Sequence, residues 1–253
     1  MKRKQEIVDT RRIDILNEFQ KNSQIKVEEL AEKLEVSPIT IRRDLQYLED
    51  RKKIQRYYGG ASLIHQDETE EGELKIYQSL MAEYAASLVE DGDNILINTS
   101  TTALQLLKYL GDKHVTVITN FVKALYMEVP PTVSIVLTGG EVRYPKETMM
   151  GDFAIRNLQT VRARKSFVGC DGITPEVGMT TKVMNEVAIN KLMFQHAEKT
   201  YLMADHTKFG HNSSYVSQKI ENITHVITDE KASREVVKQL CARKIFVHQV
   251  EKT

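Results

Sequence analysis

Seven short apolar runs, separated by segments with helical patterning, fill the chain from residue 93 onward and limit its fold more than any other feature. The runs are NILIN, VTVITN, VSIVLTGG, SFVGCDG, TYLMADH, THVITDE and KIFVHQV. Each is shorter than an ordinary helix and has the apolar content of a strand that is buried on both faces. Buried strands that alternate with helices are typical of an α/β domain with a mainly parallel sheet. We therefore predict such a domain for most of the chain.

The carboxyl ends of these runs are candidate binding positions, because ligands of open parallel sheets bind outside the carboxyl ends of the strands. The strongest signal is INTSTTALQLL at residues 97–107, where a strand leads through several hydroxyls into a helix start. Unpaired amides at a helix start, together with hydroxyls, can bind a phosphate group. Serine and threonine are also common as ordinary helix caps, and that alternative stays open. The candidate residues are Asn98, Thr99, Ser100, Thr101 and Thr102.

Polar, charged or glycine residues also follow several other runs. Glycine allows a ligand to approach the backbone closely, and lysine can meet a phosphate as a point charge. Each of these residues could instead serve a turn or the surface charge, but their shared position after successive strands favours a joint site. The candidates are Asn120, Gly139, Gly140, Arg143, Asp171 and Lys208.

The first sixty residues have the pattern of short helices followed by a hairpin. A first helix, after a cap at Asp9 or Thr10, is predicted to bury Ile13, Leu16 and Phe19. Two further apolar stripes have helical spacing. They consist of Val27, Leu30, Ala31 and Leu34, and of Ile41, Leu45 and Leu48. The segment IQRYYGGASLI then predicts two strands joined around a pair of glycines.

The third of these helices, within VSPITIRRDLQYLE at residues 36–49, carries two adjacent arginines away from its apolar stripe. Ser37 can cap this helix, and Pro38 suits its first turn. Two short helices joined by a tight turn form a helix-turn-helix, whose second helix fits the major groove of B-DNA. Arginine can bridge two acceptors on guanine, and hydroxyls can hold phosphates. With the hairpin as a wing, the candidate DNA contacts are Ser37, Thr40, Arg42, Arg43, Arg56 and Tyr58.

Adjacent arginines are also common as solvated charge, and Asp44 could pair with one of them. Residues 1–60 carry three more basic than acidic side chains, whereas the whole chain has a formal net charge of zero. This distribution is compatible with a small DNA-binding head on a more acidic body. The charges alone leave both interpretations open, and the ordered set of helix, helix, capped helix and glycine hairpin favours DNA binding.

The segment DETEEGE at residues 67–73 holds five carboxylates, which cannot form a core. We therefore expect a head at residues 1–62, an acidic linker at 63–74 and a ligand-binding domain at 75–253. The two cysteines match neither a disulfide framework nor a zinc motif, and the histidines have no metal-ligand spacing. No segment has the apolar run of a signal peptide or a membrane span. We expect a cytoplasmic protein with no metal, no cofactor and no membrane partner.

Three segments of the head resemble the signature of the DeoR family of transcriptional regulators. They are Arg12-x3-Leu16, then Ser37-x2-Thr40-Ile41-Arg42-Arg43-Asp44-Leu45, then Arg56-x2-Gly59-Gly60-Ala61. The resemblance implies a winged helix-turn-helix with the helix from Ser37 as its recognition helix. Tyr57-Tyr58 departs from the smaller or histidine-containing wing that is usual in the family, which bears on operator preference.

Residues 75–253 resemble the sensor domain of the same family, which is similar in fold to ribose-5-phosphate isomerase. The matching segments are Asn98–Thr102, Thr119-Asn120, Gly139-Gly140 with Arg143, Gly151, Asp171-Gly172 and DHTKFG at residues 205–210. The resemblance implies a Rossmann-like α/β fold and a phosphorylated sugar as effector. Ser100 stands where the family usually has glycine, and His206 where it usually has serine, so the ligand class is better defined than the ligand.

We therefore expect a sequence-specific regulator that binds double-stranded operator DNA, as a repressor of a carbohydrate-utilisation operon that responds to a phosphorylated sugar. A homo-oligomer, dimer or tetramer, is expected because two-fold operators match two-fold proteins. The alternative is a sugar-phosphate isomerase-like enzyme with an added DNA-binding head. In that case Asp171 or Asp205 would act as the base, and Lys208 would stabilise an enediolate.

Overall fold

The computed structural model describes residues 2–22, 24–51, 53–57, 59–63 and 70–252. The chain divides into two compact units, Met1–Glu73 and Leu74–Thr253. The first unit combines helices with a small antiparallel sheet, and the second is an α/β domain built on a parallel sheet. Both parts of the predicted fold class are therefore confirmed.

Within the described residues, the first unit has three helices and three strands. They are α1 (Lys2–Lys21), β1 (Gln24–Lys26), α2 (Val27–Lys33), α3 (Pro38–Glu49), β2 (Ile54–Tyr57) and β3 (Gly60–Leu63). Strands β2 and β3 form the expected hairpin, and β1 pairs antiparallel with β3, which gives the order β1-β3-β2. A strand of three residues is too short to show alternation, so no sequence pattern predicts β1.

The core of the first unit is formed by apolar side chains of its three helices, together with Ile25, Ile54 and Ala61 of its three strands. The buried helix residues include Ile15, Phe19, Leu30, Ala31, Ile41, Leu45 and Leu48. The stripes predicted for α2 and α3 are thus correct. The prediction for α1 is wrong in two respects, because Ile13 is 58% exposed and the helix begins at Lys2 rather than after Asp9 or Thr10. Ile15 and Phe19 are four residues apart and share a face, whereas Ile13 lies on another side of the helix.

The second unit is organised around a seven-stranded sheet in which every pair of neighbours is parallel. Its strands are β4 (Asn94–Ile97), β5 (Val115–Thr119), β6 (Val133–Leu137), β9 (Ala163–Gly169), β12 (Ala197–Met203), β14 (His225–Asp229) and β15 (Phe246–Val250). They coincide with the seven apolar runs of the sequence. Their order, β15-β14-β12-β9-β4-β5-β6, places the topological switch point between β4 and β9.

Helices cover the two faces of this sheet. They are α4 (Glu70–Ser87), α5 (Thr101–Leu104), α6 (Asp152–Gln159), α7 (Glu186–Gln195) and α8 (Arg234–Ala242). Alternate strand residues face opposite layers. Ile95 and Ile97 pack in a core with Met81 of α4, whereas Leu96 packs in a second core with Ile189 of α7. Burial on both faces explains why the strands are continuous apolar runs.

Short antiparallel strands lie outside the main sheet, and no pattern in the sequence predicts them. They are β7 (Glu141–Arg143) and β8 (Thr148–Met150), which pair with each other, and β10 (Gly172–Thr174), β11 (Gly178–Thr181) and β13 (Tyr215–Lys219), which form a three-stranded sheet. Both groups follow carboxyl ends of main-sheet strands along the chain. They therefore lie where the loops around a ligand site are expected.

Helix α4 begins inside the segment that the sequence assigns to the linker. Residues 70–73 are helical, and the first turn of the helix holds Glu70, Glu71 and Glu73. Carboxylates interact favourably with the positive end of the helix dipole. The acidic composition that excludes a core is therefore suited to a helix start. Residues 64–69 of the predicted linker lie outside the described residues.

Two histidines stack where α4 meets β14 and β15. The hydroxyl of Tyr84 lies 2.8 Å from His248 Nδ1, and His248 Nε2 lies 3.2 Å from His225 Nδ1. Burial lowers the pKa of both histidines, and the neighbouring His248 and Lys199 lower the pKa of His225 further. Folding therefore favours their neutral forms. The stability they contribute is present above the ordinary histidine pKa of 6.5 and is lost as the pH falls through the lowered values.

We predict that the melting temperature of the second unit falls between about pH 7.5 and pH 5.5, because the two histidines must bind protons that the fold disfavours. In the His225→Gln/His248→Gln variant, this fall should be clearly smaller. The measurement is thermal unfolding followed by circular dichroism at each pH. His211→Gln, which replaces an exposed histidine, is the control and should behave as the parent chain does. An equal fall in the double variant would contradict the prediction.

Candidate functional site

The N-terminus of α3 is built as its sequence predicts. Ser37 is the N-cap, and its Oγ accepts a hydrogen bond from the backbone N–H of Thr40 at 3.3 Å, with Pro38 at the first helical position. The Ser37 and Thr40 hydroxyls also lie 2.9 Å apart. Ser37 is exposed and Thr40 is half-buried, so the capping pair presents hydroxyls at the outer end of the helix. Hydroxyls in this position can donate to a phosphate.

The two arginines of α3 point away from the core. Both are exposed, whereas Ile41 and Leu45 are fully buried on the opposite side. Arg42 Nη2 lies 3.7 Å from Glu28 Oε1, in a pair whose two side chains are largely exposed and which therefore holds the arginine only weakly. Arg43 forms no ion pair with any residue that the structure describes. Both guanidinium groups are available to an external anion.

Asp44 does not neutralise either Arg42 or Arg43. Its Oδ2 accepts from Arg11 Nε at 2.7 Å and its Oδ1 from Arg12 Nε at 2.9 Å, and the carboxylate is 3% exposed. Asp44 lies on the buried side of α3, one position before Leu45, and therefore faces α1 rather than the solvent. The two α1 arginines are themselves mostly buried. The carboxylate thus fastens α1 to α3 and leaves the arginines of α3 free.

Arg56 of the hairpin is tied to the end of α3. Its Nε donates to Glu49 Oε2 at 2.7 Å, its backbone N–H donates to Glu49 Oε1 at 3.1 Å, and its guanidinium also contacts Gln46. The hydrogen bond from Arg56 is the largest cause of a lowered pKa at Glu49. Arg56 thus orients the hairpin relative to α3. Tyr58, the other predicted wing contact, lies outside the described residues.

A polar cavity of about 220 Å³ opens at the carboxyl ends of four neighbouring strands, β12, β9, β4 and β5. This is the position expected for a ligand of an open α/β sheet, beside the switch point between β4 and β9. The volume is below the usual range for drug-sized ligands and suits a small metabolite. The predicted residues that line it are Asn98, Thr99, Ser100, Thr101, Thr102, Asp171 and Lys208.

Asn98 forms the floor of the cavity rather than a free ligand contact. Its side-chain Oδ1 accepts from the backbone N–H of Gly169 at 2.9 Å, and its Nδ2 donates to the Gly169 carbonyl and to Asn190 Oδ1, each at 3.0 Å. These bonds hold the end of β4 against the end of β9. Only glycine fits at position 169, because a Cβ there would overlap the side chain of Ser100.

The hydroxyl turn that follows is a helix cap and also part of the cavity wall. Ser100 Oγ accepts from the N–H of Ala103 at 3.1 Å, which is the ordinary capping bond that the sequence left open as an alternative. Helix α5 is only one turn long and continues as a 3₁₀ helix over Gln105–Tyr109. A helix this short provides little dipole, so the binding capacity of the turn rests on its hydroxyls and on nearby cations.

Four of the predicted residues do not line the cavity: Asn120, Gly139, Gly140 and Arg143. Asn120 donates to the Met149 carbonyl at 3.2 Å and ties the end of β5 to β8. Gly140 has φ +108°, and a Cβ there would overlap the Met150 carbonyl oxygen, so this glycine serves chain packing. Arg143 is exposed and pairs with Glu141 at 3.1 Å.

The cavity also contains three charged residues that are not among those predicted from the sequence. Lys146 comes from the loop between β7 and β8, Glu186 opens α7, and Lys123 follows β5. Glu186 is almost fully buried and accepts from Thr181 Oγ1 at 2.6 Å and from Thr99 Oγ1 at 3.3 Å. Lys123 comes three residues after the run VTVITN, and Lys146 and Glu186 follow no apolar run, so strand ends in the sequence do not mark these residues.

Around the cavity, lysines and carboxylates are equal in number. Lys123, Lys146 and Lys208 face Asp171, Asp205 and Glu186. Asp205 is engaged by Gln78 Nε2 at 3.0 Å and by the N–H of Thr207 at 3.0 Å, and Asp171 by the N–H of Lys182 at 2.8 Å. Lys208 forms no ion pair with the residues that the structure describes. A ligand that carries both an anionic group and hydroxyls matches this mixture of donors and acceptors.

Cys170 also lines the cavity, and burial raises the pKa of its thiol to about 12. The nearby Lys208 lowers this pKa by less than burial raises it. The thiol therefore stays protonated at neutral pH and is no nucleophile. Among the described residues, no group of three histidine, cysteine, aspartate or glutamate side chains could hold a metal ion.

Two family models match this chain. The DeoR-like helix-turn-helix domain matches residues 11–67, and the DeoR C terminal sensor domain matches residues 77–230.

The uncharacterized HTH-type transcriptional regulator YulB of Bacillus subtilis (strain 168) is 33% identical over 248 residues, which cover 95% of this chain and 96% of that protein. The lactose phosphotransferase system repressor of Staphylococcus aureus (strain NCTC 8325 / PS 47) is 29% identical over 226 residues, 85% of this chain and 90% of that protein. Ribose 5-phosphate isomerase A from Methanocaldococcus jannaschii is similar in structure with a TM-score of 0.39 and 17% identity, over 55% of this chain and 54% of that one.

We predict that Asp44→Ala lowers the free energy of unfolding of the first unit by about 3 kcal/mol, because it leaves two mostly buried arginines without their shared carboxylate. The measurement is hydrogen exchange of α1 and α3 in the full chain, where protection should fall in both helices. Asp14→Ala, which removes an exposed carboxylate of α1, should change protection little. Unchanged exchange in Asp44→Ala would show that the buried pair does not fasten the two helices.

Proposed function

This chain belongs to the DeoR family of helix-turn-helix transcriptional regulators, and from that premise we propose that it represses a carbohydrate-utilisation operon in response to a phosphorylated sugar. The observation that carries the proposal is the presence in one chain of a capped helix with free arginines and of a small cavity lined by hydroxyls, lysines and carboxylates. A relative named as the lactose phosphotransferase system repressor supports the assignment to a sugar system. Family membership makes the chain a regulator and not an enzyme, so the isomerase alternative is set aside.

On the DNA side, α3 acts as the recognition helix in the major groove of a double-stranded operator. Arg42 and Arg43 contact guanine edges or phosphates, and Ser37 and Thr40 contact phosphate oxygens at the start of the helix. Arg56 holds the hairpin in place through Glu49. It can contact the DNA backbone only if it exchanges Glu49 for a phosphate. A homo-oligomer, dimer or tetramer, presents two such helices to a two-fold operator.

On the effector side, the phosphate of the sugar binds at the hydroxyl turn near Thr101, with Lys208 as its cation. The support for this placement is that Lys208 lies in the same cavity and has no acidic partner among the described residues. Lysine acts on phosphate as a point charge and needs no fixed orientation. The sugar hydroxyls face the carboxylates of Asp171 and Glu186, which are hydrogen-bond acceptors. The sequence departure at Ser100, which lines the cavity, then acts on the choice of sugar, whereas His206 is not among the lining residues and contacts Asp229.

The effector changes operator affinity only to the extent that it binds one arrangement of the protein better than another. Such coupling free energies are typically about 1–3 kcal/mol. The protein acts in the cytoplasm, where operator DNA is found. The structure contains no helix, among the residues it describes, that is long and apolar enough to cross a bilayer.

We predict that Arg42→Ala and Arg43→Ala each weaken binding to duplexes that the parent chain selects from a random pool. Loss of a base contact should cost about 1–3 kcal/mol. Loss of a phosphate contact should also reduce the slope of log affinity against log salt by about one unit. Fluorescence anisotropy over a series of KCl concentrations measures both. Arg243→Ala, an exposed arginine of the second unit, is the matched control. If both α3 variants bind as the parent does, α3 is not the recognition helix.

We predict that Lys208→Ala and Thr101→Ala abolish the response of operator binding to a phosphorylated sugar, because they remove the cation and a hydroxyl from the phosphate position. A thermal-shift screen of phosphorylated sugars first finds one that stabilises the parent chain, since a ligand that binds the folded state raises its melting temperature. The response is then measured as the change in operator affinity on adding that sugar. Lys238→Ala, on the exposed side of α8, is the control. A normal response in both cavity variants would place the effector elsewhere.

A further inference from the structure

Lys146 reaches into the cavity from outside the main sheet and pairs with an almost fully buried carboxylate. Its Nζ lies 3.2 Å from Glu186 Oε1 and 3.9 Å from Asp171 Oδ2. The lysine side chain is 43% exposed, whereas the Glu186 side chain is 6% exposed. One partner of this pair is therefore fixed in the wall of the cavity, and the other is a long side chain with access to solvent.

The two carboxylates keep other donors when the lysine moves. Glu186 Oε2 accepts from Thr181 at 2.6 Å, and Glu186 Oε1 accepts from Thr99 at 3.3 Å. Asp171 accepts from the N–H of Lys182 at 2.8 Å, and the single proton of the Thr181 hydroxyl goes to the nearer carboxylate, Glu186. Neither carboxylate is left without a hydrogen bond, so the cost of losing Lys146 is less than that of exposing a bare buried charge.

The backbone that carries Lys146 is held in place next to the cavity. The carbonyl of Glu147 accepts from the N–H of Val122 at 3.0 Å, directly after Phe121, which lines the cavity. Glu147 itself has φ +58°, a conformation that a non-glycine residue adopts only under local constraint. The loop is thus anchored, and a change of partner requires only rotation of the flexible lysine side chain.

We propose that Lys146 is a shared cation that exchanges Glu186 for the anionic group of the effector. The inference rests on the proposed function and deepens it. The exchange adds a second lysine to the phosphate and frees a lone pair of Glu186 for a sugar hydroxyl. Anionic group and hydroxyl must then be separate groups of one molecule, because an inorganic phosphate that takes the lysine has no second group to offer Glu186. The cavity therefore selects sugar phosphates over both inorganic phosphate and unphosphorylated sugars.

Four variants separate this exchange from a structural role: Lys146→Gln, Glu186→Gln, the double variant and Lys238→Gln as an exposed-lysine control. The probes are inorganic phosphate, glucose 6-phosphate, fructose 1-phosphate and ribose 5-phosphate, with affinities measured by isothermal titration calorimetry on the full chain. Far-UV circular dichroism checks folding. Glutamine keeps the size of Glu186 and one of its two acceptor atoms while removing the charge that competes for the lysine.

Lys146→Gln should weaken the best-bound sugar phosphate about tenfold or more, as expected for loss of a charge-assisted hydrogen bond. Glu186→Gln should instead tighten inorganic phosphate by about fivefold, because the freed lysine needs no exchange. That gain should vanish in the double variant, since it acts through Lys146. The preference for sugar phosphate over inorganic phosphate should fall in Glu186→Gln. A residue that only supports the fold would not give opposite effects at the two positions.

Two results would overturn the inference alone: a sugar-phosphate affinity in Lys146→Gln within about twofold of the parent chain, or a gain from Glu186→Gln that persists in the double variant. Either result leaves sugar-phosphate binding by the parent chain, and hence the proposed function, intact. Failure of the parent chain to bind any of the three sugar phosphates would overturn the proposed effector class and the exchange together.

Discussion

The hydrogen bonds between Asn98 and Gly169 are the constraint on which the rest of the second unit depends. The strand order reverses between β4 and β9, so no short connection joins their ends and a crevice opens between them. Asn98 closes the base of that crevice by offering its side-chain amide to both backbone groups of Gly169, as a further residue of a strand would do. The amide is buried, and an unpaired Gly169 would be costly. The hydroxyl turn, the cap at Ser100 and the cavity wall all start from this fixed point.

The first unit has a buried ion pair that fixes two elements relative to each other. Its three helices bury a small apolar core, and such a core alone fixes the direction of a helix poorly. Asp44 fixes the direction of α3 relative to α1, because its one carboxylate must meet the Nε atoms of Arg11 and Arg12 at the same time. The pair is not a large source of stability, since desolvation offsets much of its attraction. Its effect is to set the angle at which α3 presents its outer face, while Arg42 and Arg43 stay in solvent.

The sequence predicts those parts of the structure in which burial produces a recognisable pattern of apolar residues. All seven strands of the main sheet were found because burial on both faces makes each an apolar run, and α3 was found because its cap, proline and stripe agree. The short strands β7 and β8 leave no such record. Gly140 does not line the cavity and instead lies against the Met150 carbonyl, and a glycine that admits a ligand and one that admits a carbonyl are identical in sequence. Lys146 and Glu186 meet only after the chain has folded, 40 residues apart, and no local pattern marks them.

The balance of charge in the cavity affects which small anionic ligands the cavity can distinguish. A cavity with three lysines alone would hold any small anion, including inorganic phosphate, which carries no information about the sugar supply. The carboxylates of Asp171, Asp205 and Glu186 oppose a bare anion and become useful acceptors only when hydroxyls arrive with it. Under the proposed function, selectivity therefore comes from groups that repel a bare anion as much as from groups that attract a sugar phosphate. Such selectivity matters more than high affinity for a regulator that has to respond to one metabolite among many phosphorylated ones.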